Sequence, residues 1–182
     1  IYNMTDTCVK ALTLQELFDF ENIDFPNLTL DYGQITGDAE LKKEILSLYE
    51  RGTIDNITTA QGCLQANELV MNTLLEKGDE VIAIVPGYQQ FVDIPKSIGC
   101  KVHLIELNEV NWQVSVEKFK EIMNSQTKMI IINNPSNPTG TEYSNEFLNE
   151  LIEICEPNDT YILCDEVYRG LNNEVSISDM YE

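Results

Sequence analysis

Positive charge is scarce in this chain: 11 lysines and arginines stand against 31 aspartates and glutamates, a net charge of −20 over 182 residues. Nucleic acids and anionic membrane surfaces are themselves polyanions, so this balance argues against sequence-independent binding to either. It reads as a solvated surface, and any phosphate site must then depend on local backbone dipoles rather than on the overall field. Histidine occurs once. His103 lies in the apolar run Val102 to Leu107 without a second histidine or a cysteine cluster beside it, which makes it a strand residue rather than a metal ligand or general base. Five cysteines, Cys8, Cys63, Cys100, Cys155 and Cys164, lack the close spacing of a zinc ribbon or redox dithiol. They read as free thiols in a reducing cytoplasm. No apolar window approaches the length of a membrane span, and the opening residues do not follow the basic-then-apolar order of a leader. Also missing is a glycine-rich loop ending in Gly-Lys-Ser or Gly-Lys-Thr. Its absence excludes reading Tyr161 to Glu166 as the magnesium-binding strand end of an ATPase.

What is present is a 43% hydrophobic content, enough for one substantial core, arranged as alternating strand and helix patterns. Thr13 to Phe20 predicts a short helix with Leu14, Leu17 and Phe18 on one face, and Asp38 to Glu50 an amphipathic helix carrying Leu41, Ile45 and Leu48. Next come a short strand at Ile57 to Ala60, a helix at Cys63 to Glu76 ended by Gly78, and a strand at Glu80 to Val85 stopped by Pro86-Gly87. Helix Gln89 to Ile98 leads to strand Lys101 to Leu107. Helix Val116 to Asn124, capped at Ser115, leads to strand Lys128 to Ile132, and helix Asn145 to Cys155 leads to strand Tyr161 to Cys164. This alternation predicts an α/β fold: three layers, αβα, around a mostly parallel sheet.

The most informative segments follow two of those strands. Asn133-Asn134-Pro135-Ser136-Asn137-Pro138-Thr139-Gly140 emerges from Met129 to Ile132, and Cys164-Asp165-Glu166-Val167-Tyr168 from Tyr161 to Leu163. Open α/β sheets bind ligands at the carboxyl ends of their strands. A carboxylate ending an apolar strand is costly to bury unpaired, so Asp165 should face a cation or a hydrogen-bond donor; taken alone, it also fits an aspartate capping the next turn. The two prolines stiffen the first segment and aim the Asn137 amide, although Asn-Pro pairs also begin ordinary turns. Gly62-Cys63-Leu64 joins a strand to a helix, where free backbone N–H groups and the helix dipole favour a phosphate; helix-start packing is the plainer reading. Tyr88 follows another strand end and suits either stacking on a flat ring or core packing.

Together these motifs resemble the cofactor-binding face of fold type I pyridoxal-phosphate enzymes, specifically the class I/II aminotransferases. The resemblance runs in family order from about Tyr32 to Tyr168. It implies that the chain is the large pyridoxal 5'-phosphate (PLP)-binding domain of that fold, truncated, with residues 1–30 an amino-terminal arm and short helix and residues 31–182 the incomplete PLP-binding domain. It implies that Asp165 faces the pyridine nitrogen and keeps it protonated, and that Asn137 and the Tyr168 phenol donate to the ring oxygen. Gly62, Cys63 and Leu64 would form the phosphate cup, with Leu64 a departure from the small or hydroxyl residues usual there. Tyr88 would stack on the ring. Tyr32 would reach across a homodimer interface to the partner's cofactor phosphate.

The resemblance also implies a lysine beyond the aspartate motif that holds the cofactor covalently. Leu171 to Glu182 contains no lysine or arginine, and Lys96, Lys101, Lys118, Lys120 and Lys128 lie before the motif or away from the pocket. No catalytic residue is therefore assigned in this chain, which reads as the amino-terminal part of a longer enzyme. A cut sheet would expose an edge and apolar surface, again favouring dimerisation. For the whole enzyme the implied activity is amino-group transfer between an amino acid and a 2-oxo acid. The same site also serves PLP-dependent β-elimination and cyclising lyases of the aminocyclopropane-carboxylate (ACC) synthase kind, and a non-catalytic binding module fits the missing lysine. Tyr2, Asn3 and Asp6 are further candidates for substrate contact.

Overall fold

Four strands form one parallel sheet: β1 (Glu80–Val85), β2 (Lys101–Glu106), β3 (Thr127–Asn133) and β4 (Tyr161–Asp165), in the spatial order β2-β1-β3-β4. The structure, a computed structural model, describes residues 10–20, 29–30, 32–171 and 176–179. Tyr2, Asn3, Asp6 and Cys8 lie outside the described residues.

Period-two alternation in the strands assigns their side chains to two faces. On one face Val81 of β1 and Met129 and Ile131 of β3 pack with Met71 and Leu75 from helix α3 (Cys63–Leu74) and its end, and with Phe91 from helix α4 (Gln90–Ile98). On the other, Ile82 and Ile84 of β1 and Ile130 and Ile132 of β3 meet Phe119 of helix α5 (Val116–Ile122) and Leu148 and Leu151 of helix α6 (Asn145–Cys155). The result is the expected three-layer αβα arrangement, with β1 and β3 buried on both sides. β1 connects outward to β2 through α4, whereas β3 connects the opposite way to β4 through α6. The carboxyl ends of β1 and β3 therefore flank the point where the winding reverses, the crevice in which such sheets bind ligands.

The chain divides into two units, Ile1–Gly33 and Gln34–Glu182. In the first, helix α1 (Leu14–Phe20) starts with a reciprocal cap: the Thr13 hydroxyl accepts from the Glu16 N–H at 3.1 Å and Glu16 Oε2 accepts from the Thr13 N–H at 2.7 Å. Of the expected apolar face Leu14 and Leu17 are exposed and Phe18 is partly buried.

Two expected elements differ most in the second unit. Helix α2 spans Ala39–Leu46 rather than reaching Glu50. Asp38 caps its start, accepting from the N–H groups of Glu40 and Leu41. After Leu46 the chain tightens, with Leu48 and Tyr49 bonding back three residues, and the Leu48 carbonyl accepts from Arg169. Ile57 to Ala60 is not a strand. The β-branched residues favour extension, but among the described residues no strand runs beside them, and a lone Thr59 N–H to Thr36 carbonyl bond replaces a ladder. Gly37 makes that crossing possible: it sits at φ +107°, and a Cβ there would lie 2.3 Å from the Thr59 hydroxyl oxygen.

Candidate functional site

β3 and β4 run in register to their last residues, so Asn133 lies opposite Asp165 at the carboxyl edge. Each is a buried polar residue ending an apolar strand. The Asn133 amide donates to the Asp165 backbone carbonyl at 2.8 Å, and its Oδ1 accepts from the Asn137 N–H at 2.6 Å. This single side chain anchors the Asn137 turn to the Asp165 strand. The turn closes on itself through Ser136 N–H to Thr141 carbonyl at 2.9 Å and Gly140 N–H to Ser136 carbonyl at 2.8 Å. The Asn134–Pro135 and Asn137–Pro138 peptide bonds are cis. Asn134 Oδ1 accepts from the Tyr143 N–H at 3.0 Å, while its Nδ2, fully buried, has no hydrogen-bond partner among the described residues.

The Asp165 carboxylate is buried and held from three directions. Oδ2 accepts from the Asn67 amide at 2.7 Å and from the Cys63 thiol at 3.2 Å; Oδ1 accepts from the Val167 N–H at 3.0 Å, with the Asn133 amide at 3.5 Å. All of these donors are neutral. Among the described residues no lysine, arginine or histidine pairs with Asp165. Burial, followed by the hydrogen bond and charge of Asp165, pushes the Cys63 thiol up to about 12, so it stays protonated and donates. The Cys164 thiol is raised well above its ordinary value, first by burial and then by Glu166 and Asp165. Neither thiol is a nucleophile at neutral pH.

Cys63 is the first residue of α3, so its contact brings that helix start to the Asp165 strand end. Gly62 precedes it at φ +86°, with no atom within 4 Å of where a Cβ would stand. Such an open approach, beside first-turn N–H groups that have no intrahelical acceptor, suits an anionic group. Leu64 is half-exposed beside it. Tyr88 follows β1 after Pro86-Gly87, is 46% exposed, and meets Phe91 edge-on at 6.0 Å. Tyr168 is partly buried three residues beyond Asp165, in a turn closed by Arg169 N–H to Glu166 carbonyl. Tyr32 belongs to the amino-terminal unit, and its side chain is exposed.

The structure thus brings Cys63, Asp165 and the Asn137 turn into one hydrogen-bonded cluster. Tyr88 and Tyr168 lie on strand-following segments of the same sheet edge. A cavity of about 570 Å³ lined by Leu41, Ile45, Tyr49, Arg51, Thr58 and Ala60, among others, contains none of that cluster.

Two residues of the cluster carry no role in the sequence reading, Asn67 and Asn133. Asn67 lies on the stripe Cys63, Asn67, Met71, one helical turn between members, where an amide among buried side chains demands a partner. Asn133 has the same signal in a strand. A further clasp also escaped the sequence reading. Arg169 lies over the Tyr49 ring at 4.5 Å and pairs with Asp179 at 3.8 Å, and the Glu166 carboxylate accepts from the Ser176 hydroxyl and the Ile177 N–H.

A pyridoxal-phosphate group fits these donors and acceptors. A carboxylate offers about four acceptor positions. Three are filled at normal distances around Asp165 and the Asn133 amide stands off at 3.5 Å, so by acceptor count one further N–H could be taken, and a cationic one would supply a charge that no described residue provides.

The family model described as aminotransferase class I and II matches residues 8–179. A glutamate-pyruvate aminotransferase of Haemophilus influenzae is 33% identical over 133 residues, covering 70% of this chain and 33% of that protein. A probable aspartate aminotransferase of Methanocaldococcus jannaschii is 39% identical over 114 residues, covering 63% of this chain and 30% of that protein. Among solved structures, a PLP-dependent aminotransferase from Streptococcus suis superposes with a TM-score of 0.87 at 39% identity, covering 93% of this chain and 48% of that one. The chain spans about a third of the length of these curated relatives and under half of that solved chain. On this evidence the chain belongs to the aminotransferase class I and II family.

Proposed function

We propose that the protein containing this chain is a pyridoxal-phosphate-dependent aminotransferase that moves an amino group between an amino acid and a 2-oxo acid. The observation that carries the proposal is Asp165: a buried carboxylate at the carboxyl edge of a parallel sheet, surrounded by neutral donors and, among the described residues, paired with no cation. When bound, PLP supplies an electron sink, a ring that accepts the electron pair released at the substrate Cα once its nitrogen is protonated.

In this reading residues 31–182 are the cofactor-binding domain, and each site residue has a task. Asp165 keeps the proton on the ring nitrogen, because a negative charge in a dry site favours the charged form of its neighbour. Asn133 fixes the Asn137 turn against β4, so that the Asn137 amide is offered to the ring oxygen together with the Tyr168 phenol. The backbone N–H groups of Cys63 and Leu64, opened by Gly62, take the phosphate, and Tyr88 covers a ring face. Tyr32 and the homodimer belong to the same proposal, as does action in the cytoplasm. No helix among the described residues is long and apolar enough to cross a membrane.

An assay of the complete protein with a panel of amino acids and 2-oxo acids tests the reading. Amino transfer that requires an oxo acid is expected. Release of ammonia and pyruvate without an oxo acid would replace it with the β-elimination alternative.

A further inference from the structure

The side chains behind Asp165 carry more than packing. Cys63 and Asn67 sit one turn apart on α3 and both reach Asp165 Oδ2, at 3.2 and 2.7 Å, across a sequence separation of about a hundred residues. An ionised carboxylate only accepts hydrogen bonds, so the Asn67 amide must present its nitrogen. That amide also lies 3.5 Å from the Cys63 sulfur, which closes a triangle of side chains. Both partners are polar residues on the stripe that continues into Met71, and Asn67 is buried. A hydrophobic residue at position 67 would satisfy that stripe without any partner. An amide there costs helix propensity and desolvation unless it serves the carboxylate.

We propose that Asn67, seconded by the Cys63 thiol, is a positioning residue for the cofactor. It pins one edge of the Asp165 carboxylate so that the remaining acceptor position is presented to the ring nitrogen in a single orientation. This inference rests on the cofactor reading above and deepens it. Neither residue contacts the ring nitrogen in this account; both act through Asp165. With the amide removed, the carboxylate keeps its charge but rotates between several orientations, and the hydrogen bond to the nitrogen pays for its ordering.

The test compares noncovalent binding of two probes to the protein and to its Asn67→Leu variant: pyridoxal 5'-phosphate, and its 1-deaza analogue, in which a C–H replaces the ring nitrogen. Both are titrated by their absorbance change, with circular dichroism reporting the fold. Asn67→Leu is expected to weaken the pyridoxal phosphate on the order of tenfold, the loss of one hydrogen bond to a charged group, and to leave the analogue within about twofold. Equal weakening of both probes would overturn the proposal, because a merely structural residue disturbs the pocket regardless of the nitrogen; so would unchanged binding of both. Should Asn67→Leu not fold, Cys63→Ala is expected to give the same selective pattern with a smaller, roughly threefold, loss, and the same two outcomes overturn it. Failure of the unaltered protein to bind either probe overturns the cofactor reading itself, a result distinct from any change confined to the variants.

Discussion

Two buried carboxylates sit at opposite edges of the same sheet, and they are answered differently. Glu80 opens β1 at the amino edge, where Lys101 reaches it at 2.9 Å, His103 at 2.7 Å and the Asn124 amide at 2.8 Å. The Lys101 hydrogen bond, then those from Asn124 and His103, hold its carboxyl down at about 2. Asp165 closes β4 at the carboxyl edge and meets an amide, a thiol and a backbone N–H, all neutral. Burying an anion is costly without a compensating charge. The amino edge answers that charge within the chain; at the carboxyl edge no cation among the described residues does so, which is where the proposed cofactor would supply one.

The comparison breaks most readily at Asp165. Asp165→Asn should cost pyridoxal-phosphate binding about 2–5 kcal/mol, the range for removing one member of a buried, hydrogen-bonded charge pair. A titration of the variant checks this, and its unfolding midpoint should fall far less than its affinity. The converse change, Glu80→Gln, should lower stability by about 1–2 kcal/mol, a value reduced because Lys101 is 65% exposed and partly screened. Denaturant unfolding measures it, and cofactor affinity should be unaffected. If Glu80→Gln weakens the cofactor as much as Asp165→Asn does, the two edges are not separate in function.

Acid sharpens the contrast. The folded-state value of Glu80 lies below the ordinary 4.5, so its contribution is present above that pH and is lost as pH falls towards about 2. Unfolding midpoints measured across that window should fall less steeply in Glu80→Gln than in the unaltered protein. The smallest effect expected is that of Lys101→Met, about 0.5 kcal/mol or less, since a mostly exposed partner contributes little; chemical denaturation resolves it.

Much of this was legible in the residues, and the remainder was hidden for physical reasons. Helix α6 and strand β1 matched the expected spans, Asn145–Cys155 and Glu80–Val85, because helical apolar spacing and a terminal Pro-Gly are local signals. The segment Ile57 to Ala60 misled because β-branched residues report a willingness to extend, whereas a strand also needs a neighbour, which propensity does not encode. The Asn137 and Asp165 motifs were visible as polar interruptions after apolar strands. Asn67 was not, because its meaning depends on a carboxylate 98 residues away. The clasp around Arg169, Glu166 and Ser176 stayed hidden for the same reason: charged residues near a chain end look like solvated surface until a fold pairs them.

In the proposed function, the cation that Asp165 meets is the protonated ring nitrogen of the cofactor. Nitrogen-15 NMR of pyridoxal phosphate labelled at that nitrogen, bound to the protein at pH values above the free ring's own protonation range, tests it directly. The account predicts a protonated-pyridine shift in the unaltered protein and a neutral-pyridine shift in Asp165→Asn. A neutral shift in the unaltered protein, or the same shift in both, would contradict it.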